Sequence, residues 1–563
     1  MDKPAVKRVL SGVDAAFLYL ECKEIPLHIA SVSIFDGPLD FERFVASIDS
    51  KLHLIPRFRQ IVVPAPFNLG HPVLEDDPNF DIARHIFRVK LDPPGGEAAL
   101  EALASRILSE RMDRTKPLWD IHVVEDMGDG RGATVLRLHH SLADGIAGTS
   151  VMKALFDATP ECPPLARPPR FHPAKKVPAY QLGDALRNAI QGTLDNLMAS
   201  HATLVDLADG LSNRSKSDTL TGLLNSLPEL AASTERLPFN RPCGPNRKFC
   251  WAQMSFAEIH AIKKALGGTV NDVLATILMR AIAKYTKAHG ETVAGRFVRV
   301  ICPVNIRNGG DGATHGNQIT FLPVALPLDC RYPARHLHSI SKRMVAMKSA
   351  GAAHLMGLAA NFIGAAPPPL QALFWTGLSQ VILPFPLFNL IFTNIPGSPD
   401  PLYAGGRHML TSYPHVPTGY ELGVNVAVQS YDGKIFWGFT ADADVAPDVG
   451  ILRDFLFPSL EELCHSAGLK KAPPQPEKAR TEKVQAEEPQ VEKAAPRRAA
   501  RKPRSRRPVA PKPAAPVAPA PAIVEQPSPQ PEAPVPEAPE LAVMEPESAE
   551  NELDAAVLAQ IAS

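Results

Sequence analysis

The segment His139-His140-Ser141-Leu142-Ala143-Asp144-Gly145 is where this 563-residue chain gathers side chains able to do acid–base chemistry. An imidazole titrates near neutrality, so one histidine can take a proton and later give it back. The reaction that suits such a base is transfer of an acyl group from a thioester to an alcohol. His140 would remove the hydroxyl proton and return it to the thiolate that leaves. Asp144 follows four residues later, close enough across a turn to hold the ring or the backbone beneath it. Gly145 permits a backbone approach that a Cβ would block, and His139 points to the other side. The chain has no GxSxG elbow, and no cysteine accompanies the motif, which favours direct attack by the acceptor over an acyl-enzyme. The plainer reading is a His-His pair that caps a strand and satisfies neighbouring carbonyls.

A catalytic turn has to be presented by rigid elements. Ala133 to Leu138 reads as a strand and Gly145 to Phe156 as a helix, so the motif occupies the turn joining them. Upstream, Ile29 to Phe35 and Ile121 to Val124 are predicted strands, with helices at Phe41 to Leu54 and Leu100 to Met112. A second half opens on a strand at Phe249 to Met254, followed by helices at Phe256 to Ala265 and Asn271 to Ala288. Strand-like runs at Arg296 to Cys302, Ile319 to Ala325, Leu387 to Thr393, Leu422 to Tyr431 and Lys434 to Thr440 alternate with helical ones. Both halves, 1–162 and 246–470, are therefore expected to be α/β. Proline clusters and two amphipathic stretches make 163–245 a helical crossover between them.

Beyond Lys470 the chain changes character. Residues 471–563 contain no Phe, Trp or Tyr and hold 19 of the 57 prolines, so a disordered tail is expected. Its bases cluster at Arg497 to Arg507, and none follows Lys512. The body, 1–470, balances 46 Lys plus Arg against 45 Asp plus Glu, which predicts no specific nucleic-acid partner. Seven cysteines without CxxC or Cys/His spacing argue against a disulfide framework or a zinc site. The first ten residues lack an apolar signal core, and together these features predict a cytoplasmic protein.

Met356 to Pro399 carries no charge and is long enough to raise a transmembrane helix. Pro384 and Pro386 would interrupt such a helix, as would the polar break at Gly377, Ser379 and Gln380. A buried helix plus strand, or a lipid-facing apolar surface, fits better.

The motif keeps company with other segments in a fixed order. Leu10-Ser11-Gly12-Val13-Asp14-Ala15-Ala16-Phe17-Leu18 and Pro26-Leu27-His28 come first, then Asp76-Asp77-Pro78-Asn79-Phe80-Asp81 and Pro117-Leu118-Trp119. After the histidines come Thr269-Val270-Asn271-Asp272-Val273, Pro303-Val304-Asn305-Ile306-Arg307, Gly316-Asn317-Gln318 and Thr393-Asn394-Ile395-Pro396-Gly397. In this series the chain resembles the bacterial wax ester synthase/diacylglycerol acyltransferase family along most of residues 9–465. It departs at Leu74, where the family often has an aromatic, and in the tail, which has no counterpart in the family core.

The resemblance implies two chloramphenicol-acetyltransferase-like domains and no cofactor, with acyl-CoA as donor and diacylglycerol or a long-chain alcohol as acceptor. The two substrates would reach His140 from opposite ends of a channel, at a membrane or lipid-droplet surface facing the cytoplasm. The catalytic set is then His140, Asp144, Gly145, His139 and Asn271, the last placing its amide or its helix N-terminus by the thioester carbonyl. Pro117, Leu118, Trp119, Asp272 and Arg307 are expected to bind substrate or organise the site, Arg307 by pairing with Asp144 or with a CoA phosphate. Plain alternatives are N-capping for Asn271 and Asp272 and core packing for Trp119. Two rival functions remain: a condensation or polyketide-associated acyltransferase taking thioesters from a carrier protein, and a non-catalytic lipid-granule scaffold.

Overall fold

The N-terminal half is built from β1 (Arg8–Val9), α1 (Gly12–Leu20), β2 (His28–Phe35), α2 (Phe41–Lys51), β3 (Gln60–Val63), β4 (Val73–Asp76), β5 (Ile86–Val89), α3 (Gly96–Ser109), β6 (Trp119–Val124), β7 (Gly132–His139) and α4 (Gly145–Leu155). The second half opens with β8 (Arg247–Ser255), α5 (Phe256–Leu266), α6 (Val270–Ala288), β9 (Phe297–Asn305), β10 (Ile319–Pro327), α7 (Pro333–Ser349) and α8 (Pro368–Leu378). It closes with β11 (Leu390–Pro396), β12 (Tyr403–Ala404), β13 (Arg407–His408), β14 (Tyr413–His415), β15 (Val424–Tyr431), β16 (Lys434–Asp442), α9 (Val449–Asp454) and α10 (Leu456–Ser466). This computed structural model describes residues 8–142, 145–161, 234–305, 319–349, 366–378 and 386–469, with six isolated positions between 183 and 198. The tail, most of the crossover, Asp144 and Arg307 lie outside the described residues.

Each half carries its own mixed sheet. The first has the order β14-β2-β7-β6-β5, and the second β10-β9-β11-β15-β16-β8. Local chemistry sets where the helices begin and end. Asp40 accepts from Arg43 N–H to start α2, which tightens into a 3-10 turn at Leu52–Leu54 before Pro56 because the residue ahead of a proline disfavours the helical region. The strand expected at Leu387 to Thr393 begins at Leu390 instead. Asn389 is taken up by side-chain bonds, its Oδ1 accepting from Arg299 N–H and its amide donating to Glu235 O and Asn240 Oδ1.

Strand β14 lies in the second half of the sequence yet pairs with the edge of the first sheet, Tyr413 opposite Val32 and His415 opposite Ala30. It also packs on β15 and β16, and the packing is close: a Cβ on Gly438 would stand 1.8 Å from the Pro414 carbonyl oxygen. Phe249, Trp251, Tyr413, Tyr431 and Phe436 accordingly join the core of the first half, with Trp251 stacked on Tyr413 at 4.9 Å. Gly438→Ala is expected to lower stability by about 1–3 kcal/mol or more, the usual range for overpacking. A drop in unfolding midpoint would show it, and an unchanged midpoint would mean that the two sheets part freely.

Candidate active site

The predicted strand-turn-helix is present: β7 ends at His139 and α4 starts at Gly145. Between them, four consecutive backbone N–H groups each have an acceptor. His139 N–H donates to Leu118 O at 3.0 Å, His140 N–H to Leu27 O at 3.0 Å and Leu142 N–H to His139 O at 2.9 Å. Ser141 N–H donates to the His139 ring Nδ1 at 3.1 Å. Arg57 Nη1 donates to Leu142 O at 2.6 Å and closes the turn from the opposite side. A turn with its donors satisfied in this way has little freedom to move, which is what a base needs if it is to sit within reach of one proton.

The two histidines have different environments. His140 is half-buried and its ring lies flat against Phe17 of α1, centroids 4.0 Å apart and planes 13° from parallel. His139 is fully buried. Its Nδ1 accepts from Ser141 N–H and lies 2.7 Å from Ser141 Oγ, which leaves Nε2 as the outward ring nitrogen. That nitrogen faces Glu21 Oε1 at 3.5 Å. Burial alone would raise the Glu21 pKa, but hydrogen bonds and charge attraction from His139 and Arg114 outweigh it and hold the carboxyl at about 2. With no exposed surface and with Nδ1 bonded to Ser141, His139 braces the turn from beneath.

Pro117, Leu118 and Trp119 pack beneath the turn. All three are buried. Trp119 is sandwiched between Phe58 and His85 at 4.6 and 4.5 Å, and its indole N–H donates to Phe58 O at 2.8 Å. Leu118 holds His139 through its carbonyl. These residues fix β6 beside β7. Next to them, Arg137 and Asp120 stand directly across the β6–β7 ladder and form a buried bidentate pair at 2.9 and 2.7 Å. Its partners, with burial working against them, keep the Asp120 carboxyl well below the usual range.

In the second half, Asp272 closes a capping box. Thr269 N–H donates to Asp272 Oδ2 at 2.8 Å, Asp272 N–H donates to Thr269 Oγ1 at 3.2 Å, and Ser341 Oγ donates to the same carboxylate at 3.0 Å. At 2% exposure Asp272 organises the start of α6, which is the capping alternative the sequence offered for it. Asn271, half-buried in the same first turn, presents itself one residue away from that cap. Glu21, Arg57, Arg114 and Phe17 escaped the sequence reading. Phe17 and Leu27 fall inside quoted segments, but nothing in the local pattern around Glu21 marks it.

Comparison with known proteins decides the family. The domain described as "Wax ester synthase/diacylglycerol acyltransferase catalytic domain" matches residues 10–274, and the "WS/DGAT C-terminal domain" matches residues 315–464. The chain belongs to this family. The match spans the opening segment, the buried Pro117-Leu118-Trp119, the histidine turn and the α6 cap in its first part, and Thr393 to Gly397 in its second. A probable diacylglycerol O-acyltransferase, tgs1, of Mycobacterium tuberculosis is 28% identical over 455 residues, 79% of this chain and 93% of that protein. A putative diacylglycerol O-acyltransferase of the same species, Rv1760, is 28% identical over 476 residues, 81% of this chain and 89% of that protein. Among solved structures, the wax ester synthase/diacylglycerol acyltransferase of Marinobacter aquaeolei VT8 superposes with a TM-score of 0.56 at 22% identity, covering 82% of this chain and all of that one. The first condensation domain of the CDA synthetase gives 0.53 at 14% identity, over 83% and 98%. The wax ester synthase/diacylglycerol acyltransferase family thus places this chain among O-acyltransferases with two condensation-like α/β domains.

Proposed function

We propose that His140 is the general base in transfer of a long-chain acyl group from acyl-CoA to the hydroxyl of diacylglycerol or of a long-chain alcohol, giving triacylglycerol or wax ester. The observation that carries this is the turn itself: His140 is the half-exposed histidine of a pair whose backbone is fixed at every N–H. The imidazole accepts the acceptor's hydroxyl proton as the oxygen attacks the thioester carbonyl. A C–O bond forms, the C–S bond of the tetrahedral intermediate breaks, and the proton passes to the departing CoA thiolate. The Asn271 amide, or the N-terminus of α6, supplies a donor for the oxyanion. Asp144 is assigned to orienting the base, and Arg307 to pairing with it or with a CoA phosphate. Neither role for the chain requires a cofactor. The names of the mycobacterial relatives favour diacylglycerol as acceptor. Offering hexadecanol and dioleoylglycerol in parallel with palmitoyl-CoA, and resolving the lipid products, tests the choice.

The acceptor is insoluble, and the site has a feature suited to meeting it. Helix α8, a described part of the uncharged stretch, packs against α1, which carries Phe17 and hence His140. On α8, Leu370, Leu373 and Phe374 are 56%, 70% and 47% exposed at helical spacing, while Gln371 is buried. This apolar face, turned outward, supports peripheral docking on the cytoplasmic membrane face or a lipid droplet. Among the described residues no single helix is long and apolar enough to cross a membrane, and the α5–α6 pair that passes jointly is bent by 99°. Replacing Leu373 and Phe374 together by Asp is expected to weaken binding to phosphatidylglycerol vesicles by about tenfold or more, the scale of two lost apolar insertions. Vesicle sedimentation measures it, and equal binding would remove α8 as the docking face.

A further inference from the structure

Glu21 stands at the end of α1 in no predicted set, yet its carboxylate collects bonds that all lead to the proposed base. The side chain is 1% exposed. Oε1 accepts from Leu27 N–H at 3.2 Å and faces His139 Nε2 at 3.5 Å. Oε2 accepts from Arg114 Nη2 at 2.8 Å and Nε at 3.3 Å.

Three routes run outward from these contacts. Through His139, the carboxylate fixes the ring whose Nδ1 holds Ser141 N–H, on one side of His140. Through Leu27, it fixes the residue whose carbonyl accepts the His140 N–H itself. Through Arg114, which also donates to Leu18 O at 2.8 Å, and through its own N–H on Phe17 O at 3.2 Å, it fixes the end of α1 that presses the Phe17 ring onto the imidazole. Backbone, neighbouring residue and stacked ring of His140 are thus tied to one buried anion that does not touch the reacting atoms.

We propose that Glu21 is the positioning residue of the catalytic turn, setting the orientation of the His140 imidazole through His139, Leu27 and the α1 terminus. The proposal rests on His140 being the base. Glu21→Gln keeps the reach and shape of the side chain but turns an NH₂ or an uncharged oxygen toward Arg114 and weakens every bond at once, since hydrogen bonds to an ionised acceptor are the stronger kind. Glu21→Ala removes the carboxylate from all three routes and leaves only the backbone bond to Phe17 O and the Arg114 bond to Leu18 O.

The test is acceptor-dependent thiol release from palmitoyl-CoA by the full-length chain, with kcat and KM separated. A misplacement of roughly 1 Å at a reacting group lowers rates about 10²-fold, so Glu21→Ala is expected to lose about that much in kcat, with Glu21→Gln between it and the parent. KM for both substrates should stay within about threefold, because positioning acts on the transition state and leaves ground-state binding in place. Adding His139→Ala to Glu21→Ala should cost much less than the product of the two single losses, since the pair acts along a shared route. Arg114→Met, at a side chain 42% exposed, leaves folding intact and is expected to lower kcat in the same sense by a smaller factor. Unchanged kcat in folded Glu21→Gln and Arg114→Met, losses confined to KM, or multiplicative double-variant losses would each overturn the proposal. The parent and His140→Ala are assayed alongside. No acceptor-dependent release by the parent, or full activity in His140→Ala, would sink the base assignment first and the Glu21 role with it.

Discussion

Replacing His140 by Ala is expected to lower acceptor-dependent thiol release by about 10²- to 10⁴-fold, the usual contribution of a positioned acid–base group. The fold should survive the change. His140 is half-buried at a turn, and the bond that anchors its backbone, N–H to Leu27 O, belongs to the main chain and remains after truncation. The measurement is steady-state release from palmitoyl-CoA with circular dichroism and unfolding midpoint on the same preparation. His139→Ala provides the contrast. That side chain is fully buried, bonded to Ser141 at Nδ1 and 3.5 Å from Glu21 at Nε2, so its loss should show in stability as well as in rate. Equal activity in parent and His140→Ala, with both folded, would refute the base and direct attention to Asn271 and the donors around α6.

The largest effect on stability is expected from Trp119→Ala, about 3–5 kcal/mol for a large core aromatic. Its indole is 1% exposed, stacked on two rings, and donates to Phe58 O. Removal therefore leaves a cavity and an unsatisfied carbonyl together. Chemical denaturation and kinetics on the remaining folded fraction separate two roles. A packing residue lowers the midpoint and leaves KM for acyl-CoA unchanged. A channel-lining residue would raise KM while stability held, and that outcome would restore the substrate role that burial argues against.

Much of this protein follows from order along the chain. The strand before His139 and the helix after Asp144 could be placed from residue type alone, because a six-residue branched run and a helical spacing are local signals. The same holds for α6, where Thr269 and Asp272 make a capping box from residues three apart. The order of short segments was enough to show the resemblance to the family, since each is a local string and their succession needs no geometry.

What lay beyond the sequence is what depends on distant residues meeting. Tyr413–His415 completes the first sheet from the second half of the chain, a pairing across several hundred residues that no local period encodes. Burial separates His139 from His140, although the two are neighbours of identical type, because the strand ends between them and only one ring turns under the sheet. Burial likewise packs Leu118 and Trp119 into the core and holds Asp272 in the α6 cap. Glu21 and Arg114 are 93 residues apart, and the carboxylate acquires its role only where α1, the start of β2 and the end of β7 converge. The proposed base was thus written in a seven-residue string, and its placement was decided by tertiary packing, because orientation is a property of the contacts around a side chain and those contacts come from elsewhere in the chain.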